Sequence, residues 1–157
     1  IFFGSKSDID VMKGAGIALK EFGIPYNAYV LSAHRVPEKL IETLEKIEKE
    51  GCEVIIAGAG LAAHLPGVIA SHTILPVIGV PVRAAVEGMD ALLSIVQMPK
   101  GIPVATVTID SGVNAALMAA QIMSIKYPKI KKQLNSNDSF VHQFNCYNYF
   151  NHFSHFN

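Results

Sequence analysis

The chain has 157 residues, half of them hydrophobic and 17% charged, and its 13 basic and 13 acidic side chains cancel to zero net charge. This composition fits one globular domain with a substantial core and excludes an intrinsically disordered chain. It also argues against a nucleic-acid surface, which needs a clustered basic excess, and no apolar run reaches the ~20 residues of a membrane span.

In chain order, "IFF" (1–3) ends at Gly4 and reads as the tail of a first strand; no Met precedes Ile1, so residues upstream are expected. Residues 8–22 carry Ile9, Met12, Ile17 and Leu19 near helical spacing, with Asp8 as the expected N-cap and Gly23 as the stop. "PYNAYVL" (25–31) reads as a strand. Residues 37–50 form the clearest helix: Leu40, Ile41, Leu44 and Ile47 make one apolar stripe, Pro37 suits the first turn, and Gly51 ends it. "CEVIIAG" (52–58) and "PVIGV" (76–80) are continuous apolar runs, as in strands buried on both faces. Between them 64–72 is a short helix. Helices at 89–98 and 114–126 flank a fifth strand at 103–109. Cys52 and Cys146 stand alone without metal-type spacing, and no signal peptide is visible, which points to a reducing, cytoplasmic setting.

Strands that alternate with helices imply a parallel sheet covered on both faces, and such sheets bind ligands beyond the carboxyl ends of their strands. The loops there carry the chemistry. "GSKSD" (4–8) offers the hydroxyls of Ser5 and Ser7 ahead of a helix, where an anion is favoured; a plain turn capped by Asp8 explains it equally. It matches neither a Walker motif nor a dinucleotide fingerprint. "SAHR" (32–35) supplies Arg35, whose guanidinium grips phosphate in a forked geometry, and His34, whose imidazole moves protons near neutral pH. A single loop histidine is more often structural, and the neighbouring Ser32 and Arg35 are what weigh against that here. "GAGLAAH" (58–64) is nearly all Gly, Ala and His; small side chains allow close approach of a ligand, or equally tight helix–strand packing. The later loops, 81–88 and 97–103, show no poised carboxylate pair, and no Ser-His-Asp set or metal cluster is evident. The pattern suggests an enzyme acting on a small phosphorylated substrate, with one imidazole as its proton carrier.

Taken together, "GSKSD", "SAHR", "AGAGLAAHLPG", "GVPV", "LLSIVQMPKGIPVATV" and "NAALMAAQI" resemble the PurE family of purine biosynthesis, from Ile1 to about Asn135. The resemblance implies a flavodoxin-like three-layer α/β/α sandwich with a five-stranded parallel sheet of order 2-1-3-4-5. It implies a mutase that moves a carboxylate from N5 of N5-carboxyaminoimidazole ribonucleotide to C4, with no ATP, metal or organic cofactor. It also implies a homo-octamer with sites at subunit interfaces, and no nucleic-acid or membrane partner. By position, His34 takes the general acid/base role. Ser5, Asp8 and Arg35 bind the ribonucleotide, with Ser7, Ser32 and Ala33 nearby. Gly58, Ala59, Gly60, Ala62, Ala63, His64 and Leu65 wall the imidazole and the transferred carbon dioxide. Members that act as carboxylases on free carbon dioxide tend to carry Lys at the position of Arg35 and to lack "AAHLPG", so both features favour the mutase. Rival readings are that carboxylase, a non-catalytic flavodoxin-like module binding a flavin or nucleotide, and an inactive subunit kept for assembly.

The chain departs from the family pattern in two places. The 109–116 loop is shorter than in many members. Residues 139–157 contain no Asp, Glu, Lys or Arg and are dense in Phe, Tyr, Asn and His. The expected organisation is therefore a catalytic domain over 1–135 and an atypical extension over 136–157. Within it His152 and His155 are weak metal candidates.

Overall fold

The computed structural model describes residues 1–136; the Phe-rich tail, with Cys146, His152 and His155, lies outside them. Five parallel strands form one sheet in the order β2-β1-β3-β4-β5: β1 Phe2–Phe3, β2 Tyr29–Val30, β3 Ile55–Gly60, β4 Val77–Val82 and β5 Ala105–Thr106. The flavodoxin-like order expected from the resemblance is thus present. Six helices cover it: α1 Ile9–Glu21, α2 Pro37–Lys49, α3 His64–Ala70, α4 Met89–Val96, α5 Gly112–Ser124 and α6 Pro128–Ser136.

Side chains alternate between two cores, as the two-residue period of a strand requires. Phe3, Ile56, Ile78 and Val80 face α1, α5 and α6. Phe2, Ile55, Ala57 and Val77 face α2, α3 and α4. In α2, Leu40, Leu44 and Ile47 are buried, each contributing about 1.5–3 kcal/mol. The Ala-rich α5 packs as core: Ala115, Ala116, Ala119 and Ala120 are buried, and a Cβ at Gly112 would overlap the Val11 carbonyl of α1. Two helices this close tolerate only small residues at the crossing.

Some expectations shift. Strand pairing covers only Tyr29–Val30 of the 25–31 run and Ala105–Thr106 of 103–109, so these two edge strands are short. Ile17, expected on the buried stripe of α1, is 52% exposed, because the helix docks through Met12, Ala15, Ala18 and Leu19 instead. The helix α6 was not anticipated; its signals are Pro128 at the start and Ile130 and Leu134, spaced by four and buried. Asp8 does not cap α1. Ser5 caps a 3₁₀ turn at 6–8 through a reciprocal box with Asp8.

Candidate functional site

The loop after β1 spends its polar groups on itself. Asp8, only 7% exposed, accepts from the Ser5 backbone N–H at 3.1 Å and from the Ser7 hydroxyl at 3.0 Å. The Ser7 N–H turns to Ser5 Oγ at 3.4 Å. The free helix-end N–H groups expected to bind an anion are thus mostly taken, and the exposed groups left are the Ser5 and Ser7 side chains and Lys6. The carboxylate of Asp8 sets this loop's shape.

The loops after β2 and β3 leave strands that flank β1, about 10 Å apart. Two imidazoles close that gap: His34 Nε2 lies 2.7 Å from His64 Nδ1, with ring planes 70° apart. One ring must donate and the other accept, so each fixes its partner's tautomer. Ser32 Oγ accepts the His34 backbone N–H at 3.3 Å, an ST-turn that aims the ring. Ala33 is half-buried behind it, packed against the α2–α4 core. His64 opens α3, and the turn before it is strained: Leu61 and Ala63 have φ of 55° and 37°. Arg35 is exposed beside His34, and neither Arg35 nor Lys6 has a carboxylate within ion-pair distance among the described residues.

The sequence-derived site residues therefore divide. Ser5, Ser7, Ser32, His34, Arg35 and Ala62 lie on the three loops at one edge of the sheet, with Gly60 the last residue of β3 and His64 the first of α3. Gly58 and Ala59 lie inside β3. A Cβ at Gly58 would overlap Met12 Sδ, and Ala59 and Leu65 are buried in the core under α2–α4. Tight packing, one of the two readings of this glycine-rich run, accounts for Gly58. Ala63 is buried at the N-cap of α3.

Sequence reasoning missed two features. Lys6 is one. The other joins the loops after β4 and β5: Arg83 donates its backbone N–H to Asp110 Oδ1 at 2.8 Å, Nε to Asp110 Oδ2 at 3.2 Å and Nη1 to Glu87 Oε2 at 2.9 Å. Only its place at a strand end, as one of two arginines, could have drawn attention to Arg83. Away from the site, a cavity of about 580 Å³ opens at the amino ends of β1–β3, among Ile24, Tyr29, Cys52 and Met123. Burial pushes the Cys52 thiol up from its ordinary range, so it is a poor nucleophile there. Nearby, hydrogen bonds from Lys126 and Tyr127 hold the Glu53 carboxyl below its usual value and tie the approach to β3 to the turn between α5 and α6. No three His, Cys, Asp or Glu side chains gather as a metal site among the described residues, and none of their helices is long and apolar enough to cross a membrane.

The chain is a doubly wound α/β protein with a paired imidazole, exposed cations and serines at the carboxyl edge of its sheet, where open sheets of this class bind ligands. The AIR carboxylase family model matches residues 1–143, and the chain belongs to that family. The N5-carboxyaminoimidazole ribonucleotide mutase of Pyrococcus horikoshii is 62% identical over 135 residues, covering 85% of this chain and 76% of the relative. That of Thermotoga maritima is 55% identical over 135 residues, 85% of this chain and 79% of its own. The crystal structure of Treponema denticola PurE superposes with a TM-score of 0.82 at 28% identity, covering 96% of this chain and 92% of that one.

Proposed function

We propose that this chain is an N5-carboxyaminoimidazole ribonucleotide mutase, with residues 1–135 as its catalytic domain. The observation that carries the reading is the His34–His64 contact at the sheet's carboxyl edge, flanked by uncompensated cations. Arg35 and Lys6, with the hydroxyls of Ser5, Ser7 and Ser32, hold the phosphate and ribose. Asp8 shapes the loop that presents the two serines. His34 delivers a proton to N5 as the N5–carboxylate bond breaks and carbon dioxide departs. C4 then adds to that carbon dioxide, and the C4 proton returns to the same imidazole. One group thus serves both steps, and retention of carbon dioxide beside C4 replaces a second encounter with proximity.

His34, Arg35, Ala62 and His64 are exposed in the single chain, whereas retention of carbon dioxide needs a site closed to water. A covering subunit, as in a homo-octamer with sites at subunit interfaces, meets that need. The outward face of α4 supports it: Met89, Leu93 and Val96 recur at spacings of four and three, all exposed, with Val86 before them 70% exposed. The proposed setting is the cytoplasm. Incubation with N5-carboxyaminoimidazole ribonucleotide in the absence of ATP should yield the C4-carboxylated product. Faster turnover of aminoimidazole ribonucleotide with bicarbonate would favour the carboxylase instead, and no product from either would leave a non-catalytic module.

A further inference from the structure

The loops after β4 and β5 carry no residue assigned to the reaction, yet they hold the densest backbone strain among the described residues. Val86, Glu87 and Asp110 have φ of 45°, 54° and 59°. Left-handed conformations at non-glycine residues persist where the surroundings over-determine them, and for a β-branched residue such as Val86 they are outliers. The Arg83 guanidinium bonds to Glu87 and Asp110, two of the three strained residues, and the Arg83 backbone N–H bonds to Asp110 as well. Asp110 is further anchored by its own N–H to the Pro81 carbonyl at 2.8 Å. At Gly88, with φ of 82°, a Cβ would overlap Ile109 and sit 3.4 Å from the Arg83 Cα, so the two loops interlock.

This clamp backs onto the candidate site. Val82 is in register with Gly60, and a Cβ at Gly60 would lie 3.0 Å from the Val82 carbonyl oxygen and 3.4 Å from the Ala84 Cβ. The Arg83 backbone therefore sits between the two residues that leave no room for a side chain at Gly60. From Gly60 the chain turns tightly, with the Ala63 N–H on the Gly60 carbonyl at 3.0 Å, into His64 and its contact with His34. The ion pairs are exposed and contribute little to global stability. Their consequence is geometric.

We infer that Arg83, held by Asp110 and Glu87, is a positioning residue that fixes the β4-side wall of the site and thereby keeps released carbon dioxide beside C4. The inference rests on the mutase reading. With the clamp open, the N5–carboxylate bond still breaks and N5 still takes its proton. Carbon dioxide then escapes to water and is hydrated, leaving aminoimidazole ribonucleotide in place of the C4-carboxylated product.

The test is product partition in the assembled full chain, corrected for substrate decay without enzyme. Wild type should convert consumed substrate chiefly to the C4-carboxylated product; its failure to do so would remove the mutase reading itself. Given that activity, Arg83→Ala should raise the decarboxylated fraction at least about threefold, because the wall no longer excludes water. It should also take up label from ¹³C-bicarbonate into product, while its melting point stays within about 4 °C of wild type. Arg83→Lys, which keeps charge but not the fork, should fall between the two. Asp110→Asn, which keeps an acceptor for the Arg83 N–H and tolerates positive φ but loses the acceptor for Nε, should fall between wild type and Arg83→Ala. Glu87→Ala, at an exposed side chain, should also raise the leak, and it decides the matter if Arg83→Ala does not fold. Wild-type partition in folded Arg83→Ala, or in Glu87→Ala where that variant alone folds, overturns the inference.

Discussion

Substitution of His34 by Asn separates proton transfer from everything else this loop does. The amide keeps a polar head of similar reach but cannot cycle a proton. Loss of a general acid/base lowers turnover by about 10²–10⁴, or about 3–5 kcal/mol in the barrier. The structure limits the other effects. His34 and His64 are both exposed, so breaking their 2.7 Å contact strands no buried group, and the stability change should stay within about 0.5 kcal/mol. That corresponds to a melting shift of no more than about 2 °C. Ser32 bonds to the backbone of residue 34, which the substitution leaves intact, so the loop and its Arg35 should remain in place. Calorimetric affinity for the C4-carboxylated nucleotide should therefore change less than about threefold, since the phosphate contacts that dominate it remain. The assay is the single-turnover rate with N5-carboxyaminoimidazole ribonucleotide, measured beside affinity and melting point. A variant within tenfold of wild-type turnover would refute the assignment of proton transfer to His34.

Three further outcomes probe other parts of the structure. Arg35→Ala should raise KM about 10–100-fold and leave kcat within about threefold, because it removes charge-assisted bonds to a non-reacting phosphate; an unchanged KM in steady-state kinetics would contradict that role. Gly79→Ala drives a Cβ into Ile95 Cγ2 and to 3.0 Å from Val104 Cγ1 in the middle of the sheet, where both neighbours are stiff β-branched side chains. Urea unfolding should show a loss of about 1–3 kcal/mol. Leu93→Asp, on the exposed stripe of α4, should shift the particle mass in light scattering toward that of one chain while preserving helical circular dichroism; an unaltered assembly would move the subunit contact off that face.

Much of the architecture was legible because it depends on local pattern. The stripe Leu40–Leu44–Ile47 and the apolar runs around Ile55 and Val77 encode one helix and two central strands by periodicity alone. The edge strand β5 was over-read, because "PVATVTI" has strand propensity along its length while only Ala105–Thr106 pair with β4. The order 2-1-3-4-5 came from resemblance, since loop and helix lengths alone do not say which side of β1 receives β3.

The site was legible only as a set of loops. His34 and His64 are 30 residues apart, and nothing in either segment says that their rings meet; that follows from two strands flanking β1 in parallel. Asp8 illustrates the opposite error. An acidic residue before an apolar helix reads as a cap, yet its carboxylate turns back to Ser5 and Ser7 because the 3₁₀ turn places them closer than the first turn of α1. Arg83 and Asp110 were least visible, being 27 residues apart in loops whose residue types suggest only rigidity. Periodicity reports how an element meets its core, and it is silent about polar side chains that meet across the ends of a sheet. Those meetings depend on register, and at this edge they determine both which imidazole has a partner and which loop is held in a strained shape.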